Sequence, residues 1–536
     1  MFRVNNTHLQ ATMFSTMDML NDRTKKMLDK SWAPVFYQEV FSKIEESPFA
    51  VLYSDTGRPS FPVNILLSLE YIKAMKDLSD EELLERYHFD FLIAQALGQN
   101  TPGEQPLAPR TLYYFRNRLY NHLVTNPDDN LLEHQFKTLL DSFVSRSGVK
   151  TEEQRIDSTL FMSNIRKAGR LALAFEVLKR AAQAIPESER SEELAQVLTP
   201  AFRTHTLFYA KESETGKQLE KLVGLGAKAL ETLEQVLPDA EETKLMRRFL
   251  EEQTTENNEG TLIAKDKKDI SSSSLQSAYD NDATFRNKGG KRYSGYALTI
   301  SETCDKDNDI QFITNYDVAP NNISDVETVQ KMLPEIAQTG GKDLYADGGY
   351  YSPKVQEAAQ QADIEIHTTS MTGTQPKKKL PVDQFQYDGN KIIQCPNGHK
   401  PTQTGQSKNQ TVAHFPKSAC GNCPLHTQCY AKANKKDYTV RISHKSIHTA
   451  QDRAQIQANK RENTSKRAGI EGTHSALKRT GLSKLFVRGL VKCTIVCGFM
   501  VAAQNIKRIT RFMLGQCKPK KPVGDTTQGI IVPIYG

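Results

Sequence analysis

The sequence predicts an α/β protein: a mixed-sheet core with a helical N-terminal region, a helical insertion and a small cysteine-rich insertion. Three observations predict it. First, "YSGYALTISETC" alternates through Tyr296, Leu298 and Ile300, and a second strand-like run, "DIQFITNYDVAP", follows. Second, "KDLYADGGYYSPKVQEAAQQADIEIHTTS" reads as strand, glycine turn, helix, strand, the repeating unit of a mixed α/β sheet. Third, the stretches before residue 145 and between 167 and 259 carry helical spacing instead.

In chain order, Pro62 suits a helix start, and Ile65, Leu69 and Ile72 recur at helical intervals. Ser79 with Glu82 is a capping box, and Gly98 a stop. "APRTLYYFRNRLYNHL" then sets Arg110, Arg116 and Arg118 among aromatics. This suits either a DNA-reading helix or a purely structural one. "EEQRIDSTLFMSNI" is a short strand holding Asp157, a residue type disfavoured in strands, so it needs a reason to be there. In the following helical block, Leu171, Phe175, Leu178 and Ile185 line one face, and Leu219, Leu222, Leu230, Leu233 and Leu237 another; both are core positions. A polar connection leads to the strands. "SDVETVQKMLPEIAQTG" is a helix with Ser324 at its cap, and the next strand ends at Asp347, before Gly348-Gly349. Residues 373–440 interrupt the pattern, with no evident core of their own. Helix then resumes and runs to about 514.

The chain has 536 residues, a quarter of them charged, and a net charge of +7. From 431 to 492 there are fifteen Lys or Arg against four Asp or Glu, a local +11. Such a surface suits nucleic acid. The longest apolar run, "CTIVCGFMVAA", is too short to span a bilayer, so no membrane partner is expected. No secretory h-region is visible at the start, and cytoplasmic residence is the default expectation. Reduced cysteines follow from that compartment.

The eight cysteines then need another account. Cys395, Cys420, Cys423 and Cys429 form C-x24-C-x2-C-x5-C, and four thiolates suit tetrahedral Zn²⁺. His399, His414 and His426 are alternative ligands, and four reduced thiols in a loop is the plainer reading. A coreless insertion needs a staple, which favours a structural zinc. Cys304, Cys493, Cys497 and Cys517 show no ligand pattern.

Three acids stand out: Asp157 in a strand, Asp347 at a strand end and Glu471 in the basic helix "KRAGIEGTHSALKR". Arg467, Glu471, Ser475 and Lys478 fall on one helical face, and Ile470, Thr473 and Leu477 on the packing side. Hard carboxylate oxygens suit Mg²⁺ (or Mn²⁺), and flanking cations suit phosphates. Two metal ions held this way could drive phosphoryl transfer on DNA. The plainer reading of Glu471 is a salt bridge to Arg467.

These residues resemble the insertion-sequence transposases of the DDE superfamily. "RIDSTLF" resembles the first-Asp strand and "LYADGGYYS" the second-Asp motif. "TSKRAGIEGTHSALK" resembles the Y-x2-R-x3-E-x6-K signature, with Arg467, Glu471 and Lys478 as its R, E and K; Thr464 stands where the signature has Tyr. The resemblance extends through "GRPSFPVNILLSLEYIKAMKDLSDEELLER", "TLYYFRNRL" and "NDATFRNKGGKRYSGYALTI", nearly the whole chain. It implies an RNase H-like core formed by 150–166, 260–372 and 441–515. Around it lie a DNA-binding helical domain (1–145), a helical insertion (167–259), a cysteine-rich insertion (373–440) and a tail (516–536). It also implies Mg²⁺-dependent cutting of double-stranded DNA at element ends by Asp157, Asp347 and Glu471. The 3′ hydroxyl made by that cut then attacks target DNA. Arg467 and Lys478 assist, Arg110, Arg116, Arg118, Lys466 and Arg479 contact DNA, and the working form is a homodimer or larger. Two rivals stay open: a related nuclease that cuts without joining, and a non-catalytic zinc-containing DNA-binding protein.

Overall fold

The computed structural model describes residues 1–10, 14–165, 169–208, 214–258, 260–371 and 378–515; the expected tail and Cys517 lie outside the described residues. The chain forms two units. The first comprises residues 1–150, 158–324 and those from 471 onward, and the second 151–157 and 325–470.

The first unit opens with seven helices: α1 (Asp22–Asp29), α2 (Trp32–Glu39), α3 (Val63–Lys76), α4 (Asp80–Phe89), α5 (Phe91–Ala96), α6 (Pro109–Thr125) and α7 (Leu131–Ser147). Their ends follow local chemistry. Pro62 precedes α3. The Ser79 hydroxyl accepts from Glu82 N–H while Ser79 N–H donates to the Glu82 carboxylate, which starts α4. Asn130 caps α7, and Gly148 ends it with φ +66°.

The strand β1 (Glu153–Phe161) follows, and then the helical insertion: α8 (Arg170–Ala184), α9 (Glu192–Val197), α10 (Pro200–Leu207), α11 (Thr215–Val236) and α12 (Glu241–Gln253). Phe175, Leu178, Ile185, Leu219, Leu222 and Leu233 bury together in one core, and Leu171, Leu230 and Leu237 pack at its margin. The expected polar connection contains a short antiparallel ribbon, β2 (Thr254–Glu256) with β3 (Leu262–Ala264). The strands β4 (Thr284–Lys288), β5 (Lys291–Thr303) and β6 (Ile313–Pro320) then form an antiparallel meander. The end of β1 lies along it, with the Phe161 ring 5.8 Å from that of Tyr296 on β5.

The second unit takes the first residues of β1, then α13 (Asp325–Gln338), β7 (Asp343–Ala346), α14 (Pro353–Gln361) and β8 (Glu365–Thr368). Here β1, β7 and β8 are parallel neighbours. Ile156, Leu344, Ala346 and Ile366 bury with Val329, Leu333 and Ile336 of α13 and Val355 and Ala359 of α14. One sheet face is thus apolar and helix-covered.

The cysteine-rich segment holds β9 (Gln386–Asp388), β10 (Lys391–Gln394), β11 (Gln403–Ser407), β12 (Gln410–Phe415), α15 (Lys417–Cys420), β13 (Lys432–Ala433) and β14 (Tyr438–Ser443), with sheet order β11-β12-β14-β13. It has a core after all. Ala413 and Phe415 on β12 and Val440 and Ile442 on β14 bury with Phe385, Ile392 and Ile447. Strand alternation supplied it, in runs too short to stand out as apolar stretches.

The helix α16 (His444–Leu477, 34 residues) leaves the second unit at Ile470 and enters the first at Glu471. After a turn at Thr480–Gly481 comes α17 (Leu490–Met513). This helix is 24 residues long and apolar enough to cross a membrane by length and composition, so the length argument from the apolar run alone does not hold. It is nonetheless a core helix of the first unit: Cys493, Cys497, Val501, Ile506 and Ile509 are buried. Its Phe499 ring lies 5.8 Å from Tyr71 of α3, and Asn505 bonds both the N–H and C=O of Ile313 on β6. Phe136 and Phe143 of α7 meet Tyr316 and Phe312 beside the same strand. Residues 1–145, expected as the helical DNA-binding domain, lie in the same unit as β6 and α17.

Candidate functional site

In the second unit, β1 and β7 pair Glu153 with Asp343, Gln154 with Leu344 and Arg155 with Tyr345. Asp157 stands two residues beyond Arg155 on β1, and Asp347 two beyond Tyr345, just past the end of β7. Residues in register share a sheet face. The face opposite α13 and α14 therefore carries Glu153, Arg155 and Asp157 of β1 and Asp343 and Tyr345 of β7, and α16 meets it through Lys466 and Arg467. Asp157 is 8% exposed, and Arg467 of α16 reaches its Oδ2 at 2.8 Å. That pair answers why a strand tolerates a buried Asp.

One residue earlier, the Lys466 Nζ stands 2.7 Å from Glu153, 2.9 Å from the Tyr345 hydroxyl and 4.7 Å from its ring centre. Burial works against the Lys466 charge, but the bonds from Glu153 and Tyr345 outweigh it and hold the ammonium above the usual lysine range. Lys466, expected at DNA, thus has its charge met inside the fold. Arg155 Nη1 donates to the Lys466 carbonyl at 2.9 Å, and a side chain at Gly469 would collide with that guanidinium. Glycine there lets the helix close on the strand. Gly472 has no such neighbour.

Asp347 follows β7 directly, and its Oδ1 accepts from Gly349 N–H at 2.7 Å. A side chain at Gly348 would strike Ser370. One at Gly349 would press on the carboxylates of both Asp347 and Asp325, the first residue of α13. Asp325 is an acid beside Asp347 that sequence reasoning missed; the signal was an Asp opening a helix near a strand end.

In the first unit, Glu471, Ser475 and Lys478 lie on the exposed side of α16 and its final turn, and Ile470, Thr473 and Leu477 are buried. Glu471, Ser475 and Lys478 line a polar cavity of about 310 Å³ with Ser158, Lys288 and Tyr293. The helix end is pinned from below: Thr473 Oγ1 donates to Glu302 Oε2 at 2.7 Å, and Arg508 Nη2 reaches the same oxygen at 2.9 Å. The Glu302 side chain is fully buried. This link from β5 to α17 fixes the rotation of the turn that carries Glu471. Arg508 is thereby tied into the fold by a buried acid.

Of the other expected DNA contacts, Arg110, Arg118 and Arg479 are exposed, and Arg118 also lies 4.6 Å over the Tyr53 ring. Arg116 is held inside. Its Nε meets Glu70 at 2.7 Å and its Nη2 meets Asp80 at 2.7 Å, with Lys73 on the same Asp80. Burial tends to raise the Asp80 carboxyl, but the bonds from Arg116 and Lys73 outweigh it and hold it well below the usual range. The more deeply buried Glu70 is instead raised, because desolvation exceeds what Arg116 returns. The two acids on one guanidinium thus shift in opposite directions. Asp80 sets the net character of the cluster, since it takes two bonds from Arg116.

Cys395, Cys420, Cys423 and Cys429 line one cavity of about 20 Å³, with His399 and His426 at its wall. That volume admits one small species. Burial, and then the neighbouring cysteines, push the Cys420 thiol up to about 11. Four converging thiols that disfavour one another's charge fit a cation. Asp343, Glu365 and His367 form another metal-capable group, with ligand atoms within 4.8 Å of one another. His367 is within 2.7 Å of Asp343 and stacks on Tyr345 at 4.8 Å. Asp343 and Glu365 open β7 and β8, and Asp343 stands four residues, about 13 Å of strand, before Asp347.

Two family models match the chain: the Transposase DDE domain over residues 394–510 and the Transposase domain (DUF772) over residues 24–118. The first span contains Arg467, Glu471, Lys478 and the four clustered cysteines; Asp157 and Asp347 lie outside it. No curated protein and no solved structure shows a match. A DDE domain implies an RNase H-like core, a divalent metal ion and a DNA substrate. With a transposase domain matched toward each end, the two matches indicate an insertion-sequence DDE transposase.

Proposed function

We propose that this chain cuts the ends of its own mobile element and joins them to target DNA, using Asp157, Asp347 and Glu471 as ligands for Mg²⁺ (or Mn²⁺). The observation that supports this reading is the parallel β1–β7 pairing, whose last paired residues, Arg155 and Tyr345, stand two positions before Asp157 and Asp347. Glu471 lies one helical turn beyond Arg467, the residue that already grips Asp157. A divalent ion held by these three acids would activate a water or the DNA 3′ hydroxyl and neutralise charge on the leaving oxygen. Arg467 holds the Asp157 carboxylate in one orientation. Lys478, two turns past Glu471 on the same side, holds a phosphate. The Glu302–Arg508–Thr473 link keeps that side turned toward the cavity.

The four cysteines would hold a structural Zn²⁺ that closes the β9–β14 module. Cys423→Ser should lower zinc content from one ion per chain and speed proteolysis within 378–443; zinc-free protein with unchanged proteolysis would refute that role. Two element ends must be brought together, so the working form on DNA is a homodimer or larger. A complex that sizes as one chain throughout the reaction would refute this. The exposed Arg110, Arg118 and Arg479 contact the element-end duplex, and the protein acts in the cytoplasm, at the nucleoid.

The direct test incubates purified protein and Mg²⁺ with a DNA fragment carrying its gene and both flanks, and maps new 3′ ends. Paired cuts at the borders of an inverted repeat, followed by joined products, are expected. Asp157→Asn, Asp347→Asn and Glu471→Gln should each lower cutting about 10³-fold or more, the loss of several kcal/mol of charge stabilisation. Cutting that survives all three would place the chemistry elsewhere.

A further inference from the structure

The β4–β5 hairpin carries a charge arrangement that its own packing does not call for. Its strands pair over five positions and close through Gly289-Gly290, with φ of +58° and +76°. Two positive φ values make the tight primed turn that glycine adopts freely. A side chain at either glycine would meet nothing within 4 Å, so the tip stands in open space.

From Thr284 to Gly295 the hairpin has four Lys or Arg and no Asp or Glu. Its register sets Lys288 directly opposite Lys291 and Arg286 opposite Tyr293, all on one face of the ribbon. Like charges in that relation repel and weaken a ribbon. Arg286 is tied to the Asn321 carbonyl, whereas Lys288 and Lys291 are exposed. This same face borders the Glu471 cavity, where Lys288 and Tyr293 line the wall with Ser475 and Lys478. Cations therefore approach the cavity from the hairpin on one side and the helix end on the other. A single small anion would not satisfy both lysines of the tip and Lys478; a chain of phosphates would.

We propose that the β4–β5 hairpin is a DNA arm. Lys288 and Lys291 hold successive phosphates of the strand that enters the Glu471 cavity, and the Tyr293 ring packs against a nucleotide of that strand. This rests on the reading of Glu471 as part of the reaction centre.

The test measures equilibrium binding of the full-length protein to a duplex of its own gene border across a range of salt. It is run beside Mg²⁺-dependent cutting and thermal unfolding. Lys288→Ala with Lys291→Ala should reduce the slope of log K against log salt by about 1.8 and weaken binding roughly fifty-fold at 0.1 M salt. Lys288→Glu separates DNA contact from structure. It places opposite charges across the ribbon, so the unfolding midpoint should hold or rise while affinity drops about tenfold or more. An unchanged slope and affinity in these variants, in a protein that cuts its border and loses cutting with Glu471→Gln, would overturn the arm and leave the proposed function standing. A wild-type protein that neither binds nor cuts the border would overturn both.

Discussion

Two basic regions of the first unit look alike in sequence and differ in the fold. The helix α6 carries Arg110, Arg116 and Arg118 among aromatics, and the β4–β5 hairpin carries Arg286, Lys288, Lys291 and Arg292. On α6 the middle arginine is claimed by Glu70 and Asp80, and Arg118 lies over Tyr53. At the hairpin tip the two lysines face each other, and Lys288 lines the open cavity. A count of cations does not say which of them meet a ligand. What decides it is whether the fold supplies acids within reach.

The comparison can be broken most forcefully at Arg116. Arg116→Ala leaves Glu70 buried without its main counter-charge and should cost about 3 kcal/mol by chemical denaturation. A loss under 1 kcal/mol would mean the cluster is no more structural than the hairpin. Next comes pH. The folded Asp80 carboxyl lies below its unfolded value of about 3.9, so its stabilisation is complete above that pH and is lost as pH falls further. The stability gap between wild type and Asp80→Asn should hold from pH 7 to 5 and shrink below pH 4. Glu70, shifted upward, contributes with the opposite sign, a contribution that fades as pH rises through its folded value. A gap that widens in acid would show that the Asp80 carboxyl is not held below its unfolded value. A smaller effect is expected at Arg118, where Arg118→Ala removes one exposed cation–π contact worth about 0.5–1 kcal/mol. The least change is expected from Lys288→Glu, whose unfolding midpoint should match or slightly exceed wild type. A clear drop would make the hairpin lysines structural, like Arg116.

Much of the architecture was legible because its signals are local. The Ser79–Glu82 box, the alternation through Tyr296, Leu298 and Ile300, and the buried side of α16 at Ile470, Thr473 and Leu477 all lie within a few residues of what they predict. What was not legible depends on distant partners. Arg116 meets acids 46 and 36 residues away, and Arg508 meets Glu302 across 206. Neither pair has a sequence signature. The core of the cysteine module was hidden because its apolar residues are dispersed over short strands. At the candidate site the three acids could be named from the sequence, but the β1–β7 register and the neighbouring Asp325 could not. The hairpin was readable in principle: two glycines between "RNK" and "KRY" are a turn signal.

The place of α17 in the first unit has a consequence for synthesis. Its partners α3 and α7 and the strand β6 leave the ribosome long before residues 490–513 do. Until the last tenth of the chain emerges, the apolar surfaces of those helices have nothing to close against. Ribosome-arrested chains that end before Leu490 should therefore be cleaved readily by protease within 22–147, and chains extended past residue 515 should resist. A chain stopped upstream of Leu490 would lack the helix against which α3, α7 and β6 close.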